Sequence, residues 1–275
     1  MDKLTLSDIK IKSPGKQLKE LVLVEFGDVD KFADAIGMKT KTIIQYLKET
    51  NLGSDTFKIR TSKAFNKGLD ELIKSEEEQV KYMVQSVYDN IKVYKTEQDI
   101  SVLEKVQELC IKNNLRVDNV KMQRNLAMSY FYRSEIDKAI GFMESAISAE
   151  KSHNYLVKWK SELGLMYFYQ REYEKSERYF KEVDDLLGIA KEIDYSTMWV
   201  HYYRYGILKN NMNKYLSAEK LFVKSMEYAR SGFEKKRTIM NIGLTYKRRK
   251  RYKKAIEYYH KALEVEEDNT SINMI

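Results

Sequence analysis

Residues 39–48, KTKTIIQYLK, gather hydrogen-bonding side chains just after a glycine. At helical spacing Lys39, Thr40, Lys41, Thr42, Gln45 and Lys48 turn outward while Ile43 and Tyr46 turn inward. An ammonium group contacts phosphate or guanine, a glutamine amide pairs with adenine through two bonds, and a threonine reaches phosphate or a thymine methyl. No acidic residue interrupts 38–48, although Asp28, Asp30 and Asp34 crowd the helix before it. Ile44 also points outward, as an apolar contact for methyl groups. This is chemistry for the major groove of double-stranded DNA.

Such a helix needs a second one behind it. In FADAIGMKTKTIIQYL, Gly37 makes the corner, Ala33 permits close approach, and Phe32, Ile36, Ile43 and Tyr46 face a core. That is the helix-turn-helix order of residue types. It resembles the repressor-type domain of phage and bacterial regulators, whose second helix enters the groove by its N-terminal end. The rest of a domain spanning 1–74 follows: a first helix over 17–26, a loop at NLGSDT (51–56) and an amphipathic helix over 61–74. Residues 1–75 carry a net charge of only +3, so one copy makes few phosphate contacts. Useful affinity for an operator calls for a homodimer reading two half-sites.

The remainder, 75–275, is repetitive. Four segments align without gaps: NLAMSYFYRSEIDKA (125–139), ELGLMYFYQREYEKS (162–176), RYGILKNNMNKYLSA (204–218) and NIGLTYKRRKRYKKA (241–255). Each carries two small residues twelve apart: Ala127/Ala139, Gly164/Ser176, Gly206/Ala218 and Gly243/Ala255. Small side chains are what two closely crossing helices require. Four positions further on stand Met143, Phe180, Phe222 and Tyr259, large enough to fill the space between one helix pair and the next. Tyr130, Tyr167 and Tyr246 recur three after the first small residue, with Lys209 the exception. Residues 76–112 read as one more, degenerate pair, giving about five.

This spacing resembles the tetratricopeptide repeat, with periods of 37, 42 and 37 residues in place of the usual ~34. The resemblance implies an all-α chain: the helix-turn-helix domain, then a right-handed superhelix of repeats whose concave face is lined by the first helix of each pair. On that face it places Arg124, Asn125, Met128 and Tyr132, then Glu162 and Tyr169, then Arg204, Asn210 and Asn211, then Asn241, Lys247 and Arg248. Asn125 and Asn241 occupy equivalent places, where an amide can both donate to and accept from an extended peptide backbone. The domain order, with both motifs, resembles the intracellular peptide-pheromone receptors of the Rap, Rgg, NprR, PlcR and PrgX type and the phage arbitrium receptors. That resemblance implies a quorum-sensing type of transcriptional regulator. A short signalling peptide in the repeats would alter how two DNA-reading heads are spaced. The alternative is a protein-interaction scaffold that binds no DNA and uses the first residues as a helical cap.

Composition bounds the rest. The 275 residues are 33% charged with a formal net charge of +8, and residues 232–261 hold a local +9. Within that stretch KRRKRYKKA (247–255) is open to three readings: a solvated turn, an acidic-peptide site or an auxiliary contact to DNA phosphates. One proline permits long helices, and one cysteine, Cys110, fits a reduced cytoplasmic setting. No apolar run is long enough to span a membrane. His153, His201 and His260 are scattered, no metal-ligand spacing or phosphate-binding loop occurs, and Cys110 lies on the apolar side of its helix. No catalytic group, cofactor or metal is expected. Trp159 and Trp199 read as packing residues.

Overall fold

The structure is a computed structural model that describes residues 3–48, 52–190 and 192–266. Among these it contains helices and no strand. The order is α1 Pro14–Phe26, α2 Val29–Ile36, α3 Thr40–Tyr46, α4 Asp55–Phe65, α5 Leu69–Leu72, α6 Glu76–Asp89, a 3-10 turn at Ile91–Val93, α7 Glu97–Lys112, α8 Arg116–Tyr132, α9 Ile136–Ala149, α10 His153–Tyr169, α11 Tyr173–Leu187, α12 Tyr195–Asn211, α13 Tyr215–Tyr228, α14 Gly232–Arg248 and α15 Tyr252–Leu263. Two compact units divide the chain between Ser129 and Tyr130, inside α8.

In the first unit, α1 to α5 enclose a core of their own. Leu18, Val22, Phe32, Ile36, Ile43, Leu47, Leu52 and Phe57 are buried together, with Phe26, Tyr46, Phe65, Leu69 and Ile73 packed around them. The residues packed around this core run as far as Ile73. The helix expected over 61–74 is broken. Asn66 turns left-handed at φ 51° and its N–H donates to the carbonyl of Lys63, which ends α4, and Gly68 starts the short α5. The loop expected at 51–56 is shorter too. Ser54 accepts from the N–H of Phe57 and so starts α4 at Asp55, while Asn51 lies outside the described residues.

α6 and α7 form the fifth, degenerate pair. Each opens on a capping box, Ser75 with Glu78 and Thr96 with Asp99. Val80, Met83, Val87, Val102, Leu103, Val106 and Cys110 are the buried stripes. Burial pushes the Cys110 thiol up to about 12, so it is an inert packing group.

The helix pairs α8/α9, α10/α11, α12/α13 and α14/α15 share one recurring turn. Seven positions past the first small residue stand Ser134, Arg171, Asn213 and Lys250, all left-handed at φ 59–65°. In each turn the next N–H reaches back five residues: Glu135 to Tyr130, Glu172 to Tyr167, Lys214 to Lys209 and Arg251 to Tyr246, at 2.8–3.0 Å. This is the Schellman ending, which satisfies orphan carbonyls of the first helix and reverses the chain in about four residues.

Small residues sit where the sequence placed helix crossings. A Cβ added at Gly206 would lie 2.6 Å from the Phe222 ring, and one at Gly243 2.7 Å from Tyr259. Ser176 Oγ donates to the carbonyl of Gly164 at 2.7 Å. The large residues therefore do two jobs. Phe180 covers Gly164 of its own hairpin and stacks on Tyr205 of the next, with ring centroids 5.3 Å apart.

Candidate nucleic-acid interface and repeat surface

The corner between α2 and α3 is built from local rules. Asp28 accepts from the N–H of Lys31 at 2.8 Å and starts α2. Gly37, left-handed at φ 63°, ends it with the same pair of bonds as the repeat turns, Gly37 N–H to Asp34 and Met38 N–H to Ala33. A residue with a Cβ would be strained in that conformation. Arg60 of α4 then reaches over, its guanidinium donating to the carbonyls of Ile36 at 3.0 Å and Gly37 at 2.7 Å. Sequence reasoning did not single out Arg60, because nothing local to α4 reveals a partner more than twenty residues away.

Behind α3, Ile43 and Leu47 are buried, and the half-buried Tyr46 packs on Phe57 with centroids 4.9 Å apart. On the opposite side Lys39, Lys41, Ile44, Gln45 and Lys48 are exposed, and Thr40 and Thr42 are half-exposed. Lys41, Gln45 and Lys48 lie opposite the buried Ile43 and Leu47, with Lys39 at the N-cap and Thr40 and Thr42 at the flanks. Residues 38–48 contribute no carboxylate to this side.

The repeat surface departs further from expectation. Asn125 is fully buried, accepting from Arg124 at 3.3 Å while its amide faces Met122 Sδ at 3.9 Å. Arg124 is buried as well, lying 5.3 Å over the Tyr88 ring, and Met128 joins the core. Glu162 and Asn210 are buried in the second unit. These five residues pack inside the fold and present no surface to a peptide. In the second unit α10 packs on α9, α11 and α12, and α12 on α10, α11, α13 and α14, so positions beside the small residue are interior there.

The other expected positions are reachable. Tyr169 is 61% exposed, with its ring edge against Phe131 at 5.4 Å. Tyr132, Arg204 and Asn211 are half-buried, and the Asn211 amide donates to the carbonyl of Ile207 at 2.9 Å. Asn241 spends both amide hydrogens, on Tyr203 Oη at 2.9 Å and the carbonyl of Arg237 at 3.0 Å. Lys247 and Arg248 are exposed, with Arg248 donating to the carbonyl of Asn210 at 2.8 Å.

A polar connection joins successive hairpins. The Tyr246 hydroxyl donates to Glu219 of the preceding hairpin. At the equivalent place Lys209 donates to Glu177 at 2.6 Å. Lysine here stands where Tyr246 stands in the next hairpin, as a donor to the acid one past the small residue. Lys181 and Lys214 also reach Glu177, at 3.3 and 3.1 Å. Burial alone would raise this carboxyl, but three ammonium partners outweigh it and hold the group at about 2.

Among the described residues no group of three His, Cys, Asp or Glu side chains is placed to hold a metal ion, and no helix is long and apolar enough to cross a membrane. His201 is fully buried 3.2 Å from Asp184, and burial pushes its imidazole below the usual value in spite of that carboxylate. Trp159 is fully buried, and Trp199 donates to Thr238 Oγ1 at 3.0 Å.

Comparison with known proteins agrees on architecture. The tetratricopeptide repeat family model matches residues 237–269, the last hairpin. Among solved structures, kinesin light chain TPR-like repeats from Podosopora anserina superpose with a TM-score of 0.58 at 11% identity, over 70% of this chain and 97% of that one. BtubC (BKLC) from P. vanneervenii gives 0.51 at 14% identity, over 70% and 91%. MamA gives 0.50 at 19% identity, over 72% and 97%. No curated protein sequence matches the chain. The class is therefore an all-α protein with tetratricopeptide-type repeats. At these identities the likeness is one of fold.

Proposed function

We propose that the chain is a DNA-binding transcriptional regulator whose repeats take a short signalling peptide. The observation that carries this reading is the face of α3. Lys39, Lys41, Gln45 and Lys48 line the exposed side of a helix whose other side is buried, and no acidic residue falls within 38–48. A helical cap needs no such face, because a cap is selected for what it covers. With a net charge of +3 on the head, two heads on one operator supply the phosphate contacts that one lacks.

Tetratricopeptide-type repeats suit a protein-interaction role, and the accessible aromatic and basic groups set its chemistry here. Tyr169 offers an apolar platform, and Lys247 with Arg248 offers charge for a peptide carboxylate. The peptide shifts the protein only through a difference in affinity between two arrangements of the heads.

The test is selection of bound sequences from random double-stranded oligonucleotides, followed by fluorescence anisotropy on the winner. A regulator yields one short site, bound tightly and with steep loss as salt rises. Lys41→Ala with Gln45→Ala then removes sequence preference, at about 1–3 kcal/mol for each lost base contact, with unchanged circular dichroism. Weak, sequence-blind binding by the unaltered protein would establish the scaffold reading instead.

A further inference from the structure

A cavity of about 460 Å³ opens beside the joint between α1 and α6, in the first unit. We propose that it is a binding site for a small apolar carboxylic acid, held by its hydrocarbon part against α1 and α6 and by its carboxylate at Lys10 and Lys74. The proposal does not depend on the DNA reading.

The volume lies in the range of small-molecule sites. The floor is apolar: Leu21 and Val24 come from α1, Leu72 from α5, and Tyr82 and Met83 from α6. Val24 is 84% exposed, an apolar side chain facing an open cavity. The rim is cationic in excess. Of the carboxylates nearby, Glu20 is held by Lys12 at 2.6 Å, Asp8 accepts from Thr5 N–H and Oγ1, and Glu78 accepts from the Ser75 N–H at 2.7 Å. Lys10 makes no ion pair among the described residues, and the Lys74 ammonium rests 4.8 Å over the Tyr82 ring with Glu78 as its nearby countercharge. The lining thus holds three lysines against Asp8 and Glu20, and a net positive charge beside an apolar lining favours an anion that carries hydrocarbon.

The same cavity adjoins a clasp. Gln17 and Gln79 each donate to the carbonyls of both Lys12 and Lys74, at 2.9–3.1 Å. The Lys74 N–H returns a bond to Gln17 Oε1 and the Lys12 N–H returns one to Gln79 Oε1, both at 2.9 Å. Six bonds therefore fasten α1, the N-terminal segment and the start of α6. A ligand seated between α1 and α6 and held by the Lys74 side chain damps opening of that clasp.

Isothermal titration of the full chain with decanoate, 1-decanol and decyltrimethylammonium tests this. The expected result is one saturable decanoate site below micelle-forming concentrations, with the alcohol and the cation each at least about tenfold weaker. Val24→Glu, and separately Lys10→Glu with Lys74→Glu, should each weaken decanoate at least about tenfold with unchanged circular dichroism. Hydrogen exchange at the Lys12 and Lys74 amides should slow on saturation. Absence of a saturable decanoate site, equal binding of the alcohol, full affinity in Val24→Glu, or unchanged exchange at both amides would each overturn the proposal.

Discussion

Arg60 donates to the carbonyl of Gly37 at 2.7 Å, so the corner between α2 and α3 is closed by a side chain from α4. The same guanidinium holds the Ile36 carbonyl, and two of the acceptors left open at the end of α2 are thereby satisfied by a charged donor. The angle at which α3 leaves the corner is therefore set by three helices.

Arg60→Ala should lower the stability of the head by about 1 kcal/mol, the value of a charge-assisted bond at an exposed site. Arg60→Lys should restore only part, because both bonds come from the terminal Nη1, which the shorter and more flexible lysine side chain replaces imperfectly. Urea denaturation followed through head-specific hydrogen exchange measures both. Equal midpoints for the unaltered protein and the Arg60→Ala variant would show that the glycine turn alone fixes the corner.

Gly37→Ala forces a Cβ into the left-handed region at φ 63° and should cost about 1 kcal/mol. Space is not the issue, since that Cβ would meet only the Arg60 guanidinium at 3.5 Å. Gly37→Asn should therefore be milder than Gly37→Ala, although it is larger, because asparagine tolerates this conformation. The reverse order in thermal melts would point to crowding instead of backbone strain.

The hairpin crossings give a graded series. A methyl at Gly206 lands 2.6 Å from the fully buried Phe222 ring, whereas one at Gly164 lands 3.2 Å from Phe180. Gly206→Ala should cost about 1–3 kcal/mol and Gly164→Ala less. Phe222→Leu should relieve part of the Gly206→Ala penalty, so the double variant should be less destabilised than the two single effects combined. Additive denaturation midpoints would mean that the helices separate instead of clashing.

Much of this was legible in the sequence because it follows local or periodic rules. The small-residue pairs fixed the phase of four hairpins, and Gly37 with Ala33 fixed the corner. The left-handed turn residues were harder. Ser134, Arg171, Asn213 and Lys250 share a conformation but no chemistry, so only the phase of the repeat points to them. Asn66 ended a helix that hydrophobic spacing alone would have continued. Asn125 and Asn210 carried polar types into the interior, where composition argues for a surface. Arg60 and the Gln17–Gln79 clasp depend on partners far away in the chain, which a single sequence does not couple.

Lys209 supplies the last test, because its place in the repeat otherwise belongs to tyrosine. Glu177 titrates at about 2 in the folded protein against an ordinary value near 4.5. A depressed folded value adds stability that is complete above about pH 4.5 and is lost as pH falls toward 2. The side chain keeps some water contact, so the contribution is about 2 kcal/mol, less than the whole shift implies. Glu177→Gln should lower stability at pH 7 and flatten the acid limb relative to the unaltered protein. Lys209→Met should do more damage than Lys209→Tyr, since tyrosine keeps a donor for Glu177, as Tyr246 does for Glu219. Denaturant midpoints for the four proteins between about pH 7 and pH 2 decide the matter. Parallel curves for the unaltered protein and the Glu177→Gln variant across that range would remove the ammonium cluster from the forces joining successive hairpins.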